Sequence, residues 1–307
     1  MYNKVKLKAF SLVELSIVMI IISVALGVVL AFATQKTDAD KLLETKEKIE
    51  IIDKALGAYL LDNGSIPCPA NGTIATNNAA FGDALRGGLN YQCAANFSSG
   101  SMSWGIIPVR TLNLPDELAF DAWGRRFSYA IIQDCNCDAA TAGCAARNFN
   151  TDFCGVSAGI TVQGNASSTI MNNAVVVIVS HGKNGHGAFA SNGGAARIVS
   201  KVGSSINSDE QENAHLSMAG ANLAVNATFL ARNQILSDDP AVNFDDIVYF
   251  KNKQQLINAT KGLNADKDNV CAFKDTAGFS TNQCGNKTTT SCATTMDALI
   301  QALDCFN

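Results

Sequence analysis

The chain is poor in charge of either sign and shows no basic excess. Charged residues make up 16% of its 307 positions, and the formal net charge is −4. A nucleic-acid partner, which calls for a clustered positive surface, is therefore not expected. Histidine is scarce, at three, and none stands beside the cysteines at the spacing of a zinc cluster. Cys135 and Cys137 are too close together for a C-x-x-C redox motif. The G-x-x-x-x-G-K-[ST] order of a phosphate loop is absent, and there is no internal repeat. Most telling is a local absence: no residue from Leu15 to Ala33 is charged, and the next cation is Lys36.

That run, read as a helix rising 1.5 Å per residue, extends about 28 Å. A bilayer's hydrocarbon core is about 30 Å thick, so the sequence predicts a transmembrane helix over 10–33. Lys4, Lys6 and Lys8 precede it and place the leader in the cytoplasm. Everything after Ala33 then faces the periplasm or the exterior. Glu14 is the anomaly, because a carboxylate in hydrocarbon costs roughly 2.5–3.5 kcal/mol and calls for a partner. Cutting the chain between Ala9 and Phe10 would create one, since a free α-amine titrates near 7.7–8.0 and is mostly charged at neutral pH. In staggered helices side by side, Glu14 of one chain meets Phe10 of the next. A secretory signal ending at Ala31-Phe32-Ala33 is the rival reading, but it gives Glu14 and Phe10 no reason to stand where they do.

Lys8-Ala9-Phe10-Ser11-Leu12-Val13-Glu14-Leu15 resembles the class III signal of type IV prepilins and type II secretion pseudopilins. The resemblance implies cleavage before Phe10 by a prepilin peptidase, methylation of the new amine, and a register role for Glu14 between filament subunits. Ala9 departs from the family's usual glycine. The resemblance further implies a single-pass inner-membrane protein with its head in the periplasm, carried outward when assembled. Its partners would be other pilins or pseudopilins, the peptidase and the membrane.

From Thr34 to Asn63 the pattern turns amphipathic. Leu42, Ile49, Ile52, Leu56, Tyr59 and Leu60 recur at helical spacing opposite Lys41, Glu44, Lys46, Glu47, Lys48 and Glu50. Asn63-Gly64 ends the helix. Residues 71–103 read as loop. Arg126 to Ile132 alternates as a half-buried strand, the first of the head, after a turn at Asp121 and Gly124. Phe120 to Tyr129 is similar to the D-x-W-G-x-x-x-x-Y stretch of pseudopilin heads, where it is structural. Ala174–Ser180 reads as a strand buried on both faces, 188–241 as a polar excursion, and Phe244–Phe250 as a strand leading into a short helix near Lys253 to Ala259.

All ten cysteines follow the apolar run: Cys68, Cys93, Cys135, Cys137, Cys144, Cys154, Cys271, Cys284, Cys292 and Cys305. An even count outside the membrane indicates disulfides. The pairing expected is Cys68 with Cys93, the next four among themselves, and the last four likewise.

The fold class expected is α+β: a long N-terminal transmembrane-to-amphipathic helix packed on an antiparallel β-sheet head, with disulfide-rich loops. The divisions are a leader at 1–9, a polymerisation helix at 10–33, its amphipathic half at 34–64, a β-rich head at 65–260 and a Cys-rich region at 261–307. Ser180-His181, with Asp245 or Asp246, is a candidate hydrolase set. Ser180 has no G-x-S-x-G setting, however, and glycines 182, 185 and 187 suit a turn. No catalytic residue and no cofactor are expected. Asn264, Asp266, Asp268 and Asp275 are weak calcium candidates on EF-hand-like spacing, although Asn269 stands where that loop requires glycine. The function expected is that of a pilin-like structural subunit, minor pilin or pseudopilin. A pilus-tip adhesin and a tethered or secreted periplasmic enzyme are the alternatives.

Overall fold

The computed structural model describes residues 12–86, 93, 97–99, 102–132, 159–200, 206–216, 226–237 and 239–259. Ala9, Phe10, the calcium candidates Asn264, Asp266, Asp268 and Asp275, and all cysteines but Cys68 and Cys93 lie outside them. So do the side chains of Glu14 and of residues 25–36. The chain divides into two compact units, Met1–Glu47 and Lys48–Asn307.

Helix α1, Leu12–Asn63, begins in the first unit. Its described side chains from Leu12 to Val24 are apolar but for Ser16 and Ser23. Both serines turn their hydroxyls back onto the helix, Ser16 Oγ donating to Val13 O (2.8 Å) and Ser23 Oγ to Met19 O (2.5 Å). The transmembrane part of the expected fold is corrected here. Among the described residues no helix is long and apolar enough to cross a membrane. By Asp38 and Asp40 the helix is charged. The single-pass inner-membrane placement is withdrawn for the same reason.

In the second unit α1 contributes Ile49, Ile52, Leu56 and Leu60 to the core. Their spacing of three and four residues keeps them on one face. Asp53 pairs with Lys251 Nζ at 2.6 Å. Gly64, at φ +65°, ends the helix by donating its N–H to Leu60 O.

The sheet follows the order β1 (Phe97–Ser99), β2 (Met102–Ile106), β3 (Ser128–Ile132), β5 (Thr169–Ser180), β4 (Ile160–Gln163), β6 (Thr228–Leu230), and β7 (Ile247–Asn252) also pairs with β5. It is mixed rather than antiparallel as expected: β4 and β6 run parallel, while the remaining pairs are antiparallel. Three-residue β6 arrives after a helical excursion rather than a hairpin, and so is free of the hairpin's antiparallel constraint. β1 and the first two residues of β2 lie where the sequence reads as loop. β3 is buried at all five positions rather than half-buried, paired between β2 and β5. β5 is buried from Ala174 to Ser180, as expected, but starts five residues earlier, with Thr169–Asn173 mostly exposed. The excursion at 188–241 contains helix α2, Ser208–Ala214. Asn207 caps α2 by accepting from Asp209 N at 2.9 Å. Cys68 and Cys93 form a disulfide with Cα atoms 5.4 Å apart.

Arg126 fastens the start of β3. It is fully buried and donates to Gly72 O (2.9 Å), Ile74 O (2.8 Å) and Ser191 O (2.8 Å), with its guanidinium 5.0 Å from the Phe81 ring centroid. Burial alone pushes its pKa down to about 10.

Candidate functional site

The polar residues of the second unit gather where β5 ends. The loop after Ser180 turns on Gly182, Gly185 and Gly187, at φ +55°, +67° and +88°, a backbone that glycine adopts without strain. A Cβ on Gly182 would also meet Asp245 O at 2.5 Å. This tight passage brings His181 and Asn184 against residues 243–246 and α2.

The structure separates the candidate hydrolase set. Ser180 Oγ donates to Asp121 Oδ2 at 2.6 Å rather than to a base. Asp121 also accepts from the backbone N–H of Trp123 and Arg125, which makes it the organiser of the turn before β3. Burial raises its pKa, and these hydrogen bonds oppose the rise. His181 Nε2 instead lies 2.7 Å from Ser128 Oγ, and His181 Nδ1 lies 3.9 Å from Asp246 Oδ1. Ser128–His181–Asp246 thus has the order of a nucleophile, base and acid. Ser128 and His181 are 0% exposed, Asp246 is 3% exposed, and Ser128 sits within a strand paired on both sides. A nucleophile needs access to its substrate, and this serine has none. The sequence reading missed Ser128, although its place in an alternating strand next to a buried strand's end was the available signal.

Three carboxylates form the second feature. Glu210 points inward from α2, with Oε2 accepting from Asn184 Nδ2 (2.7 Å) and Oε1 from Asn243 Nδ2 and Asp245 N (both 3.1 Å). Asp245 Oδ2 accepts from Asn184 N (2.9 Å), and Asp246 Oδ2 from Asn213 Nδ2 (2.9 Å). Burial, then the neighbouring Asp245, pushes Glu210 up to about 8. Burial also raises Asp245 and, more strongly, Asp246, where the charges of Glu210 and Asp245 add to the effect. Asp245 and Asp246 were singled out in the sequence for a different partner. Glu210 was not, since nothing local marks an inward-facing acid on a short polar helix.

Histidines 181, 186 and 215 are all buried, and burial lowers the pKa of each. His186 Nδ1 accepts from Ser200 N, so Nε2 carries the proton donated to Leu216 O (3.0 Å). His215 packs edge-on against Trp104 and Phe229. Arg197 lies over Trp104 at 4.4 Å, donating to Gly187 O (2.8 Å) and to Ala214 O. Burial takes its pKa down to about 9.

An open cleft of about 310 Å³ is lined in part by Asn207, Asp209, Arg232 and Phe244. Its two charged residues, Asp209 and Arg232, are paired with each other, which leaves little to orient a charged ligand. Comparison of the chain with protein-family models, curated proteins and solved structures gives no match.

Proposed function

We propose that this chain is a pilin-like structural subunit, cleaved between Ala9 and Phe10 and assembled through its N-terminal helix into a type IV pilus or type II secretion pseudopilus. The observation that carries the reading is the bare apolar surface of α1, exposed all round from Leu12 to Val24 among the described side chains. Leu12 is 85% exposed, Ile20 63% and Val24 65%, directly after a sequence with the form of a prepilin signal. Apolar side chains left to water on consecutive turns call for a partner, and copies or relatives of the same helix supply one. Hydrophobic burial then holds the helices together, and the pairing of Glu14 with the Phe10 amine sets their stagger. The other partners are the processing peptidase and sibling pilins. The chemistry of the chain is assembly rather than turnover, in keeping with the inaccessible Ser128.

Purified filaments probed for this chain, with its first residue identified by mass spectrometry, test the proposal. Phe10 at the N-terminus and loss of incorporation in Glu14→Ala are the expected results. A chain that starts at Thr34, or a Glu14→Ala variant that incorporates normally, refutes it.

A further inference from the structure

Glu210, Asp245 and Asp246 each offer one ligand oxygen, and these three atoms lie within 4.8 Å of one another. We infer that the three carboxylates hold a hard divalent cation, for which calcium is the best match. Three observations carry this inference, and none depends on the assembly role.

The first is the donor set. Carboxylate oxygens without thiolate select hard cations. Donors at 2.3–2.6 Å from a shared calcium stand up to about 5 Å apart, which accommodates the separations here. The second is the state of the remaining oxygens. Asp245 Oδ1 and Asp246 Oδ1 are buried and accept no hydrogen bond, whereas Oδ2 of each is anchored by Asn184 N and Asn213 Nδ2. Glu210 is likewise steered by Asn184 and Asn243. In the two aspartates, an outer donor fixes one oxygen while the other stays open, as in the supporting shell of an ion site, and buried acceptors otherwise seldom go unpaired. The third comes from outside the carboxylates. His181 is 0% exposed, and its Nδ1 has no hydrogen-bond partner. It faces Asp246 Oδ1 across 3.9 Å, too far for a hydrogen bond.

Neighbouring cations are engaged elsewhere: Arg232 with Asp209, and Arg197 with the carbonyls of Gly187 and Ala214. The competing account is that the carboxylates share protons and bind no metal.

The full chain, stripped with EDTA, is equilibrated separately with calcium, magnesium and manganese chloride. Metal retained after desalting and the melting temperature are then measured. The expected result is one equivalent of calcium per chain and a rise in melting temperature of about 5 °C at a hundredfold excess over Kd. The rise disappears in Asp246→Asn and in Glu210→Gln, and persists in Glu117→Gln, a control on an exposed carboxylate. Equal melting temperatures in calcium and EDTA, with no metal retained, overturn the proposal in favour of shared protons. A calcium response that survives in both site variants overturns it in favour of binding elsewhere. If Asp246→Asn does not fold, the wild-type stoichiometry together with Glu210→Gln decides.

Discussion

His181 shows how a chemically suggestive residue becomes structural. Its ring is sealed from solvent and bound to Ser128. Replacement by alanine strands the Ser128 hydroxyl and leaves a void. An unsatisfied buried hydroxyl costs about 1–3 kcal/mol, so His181→Ala should lower unfolding free energy by at least that much in urea titrations, with assembly of the folded fraction unchanged. His215 carries the clearest pH consequence. Burial, reinforced by the charge of Arg197, depresses its pKa to about 4 from an ordinary 6.5. The unfolded chain therefore binds a proton between these values that the native chain refuses. Stability is fully present above about pH 6.5 and falls as pH drops towards 4, by about 3 kcal/mol from this group alone. His181 and His186 shift the same way and steepen the loss. The raised carboxylates of Glu210, Asp245 and Asp246 act in the opposite sense, so the difference between wild-type and His215→Gln urea midpoints from pH 7 to 4 is the check, and it should shrink as pH falls.

Helix α1 carries two kinds of apolar residue that look alike in the sequence. Leu56 is 0% exposed within the core of the second unit, whereas Ile20 is 63% exposed. Leu56→Ala should cost about 2–5 kcal/mol in cavity and transfer terms. Ile20→Ala should leave the unfolding midpoint within about 0.5 kcal/mol of wild type while weakening incorporation into filaments. The pair separates folding from assembly along one helix. The glycine loop after β5 is equally discriminating. Gly187 has φ +88°, and a Cβ there would lie 2.2 Å from Ala214 Cβ. Gly187→Ala should therefore combine backbone strain with displacement of α2 and lower the melting temperature well beyond an ordinary loop substitution.

Within the whole chain, the disulfide between Cys68 and Cys93 closes a segment of 25 residues. On the chain-entropy account a loop of that length contributes about 3 kcal/mol by restricting the unfolded ensemble. A Cys68→Ser, Cys93→Ser double variant should lose about that amount in denaturant titration, and the effect should vanish when both proteins are compared under reducing conditions.

Local pattern marked Leu42 to Leu60 as a buried stripe, of which Ile49, Ile52, Leu56 and Leu60 enter the core, Asn63-Gly64 as a helix end, Ala174–Ser180 as a core strand and the glycines after it as a turn. Each of these depends on a short-range rule: side-chain spacing, or a backbone angle that one residue type adopts cheaply. The expected pair of Cys68 with Cys93 is formed, although cysteine spacing by itself does not determine connectivity. The apolar run after Glu14 read as membrane-spanning, whereas among the described residues no helix is long and apolar enough to cross a membrane. Long-range pairing was not legible either. The parallel match of β4 with β6, the burial of β3 on both faces and the strands at 97–106 all depend on neighbours far along the chain. So does the transfer of His181 from Ser180 to Ser128, and the meeting of Glu210 with Asp245 and Asp246. Burial and electrostatic coupling are properties of proximity in space. They arise once the chain has closed on itself and water has been expelled from between groups that no spacing in the sequence connects.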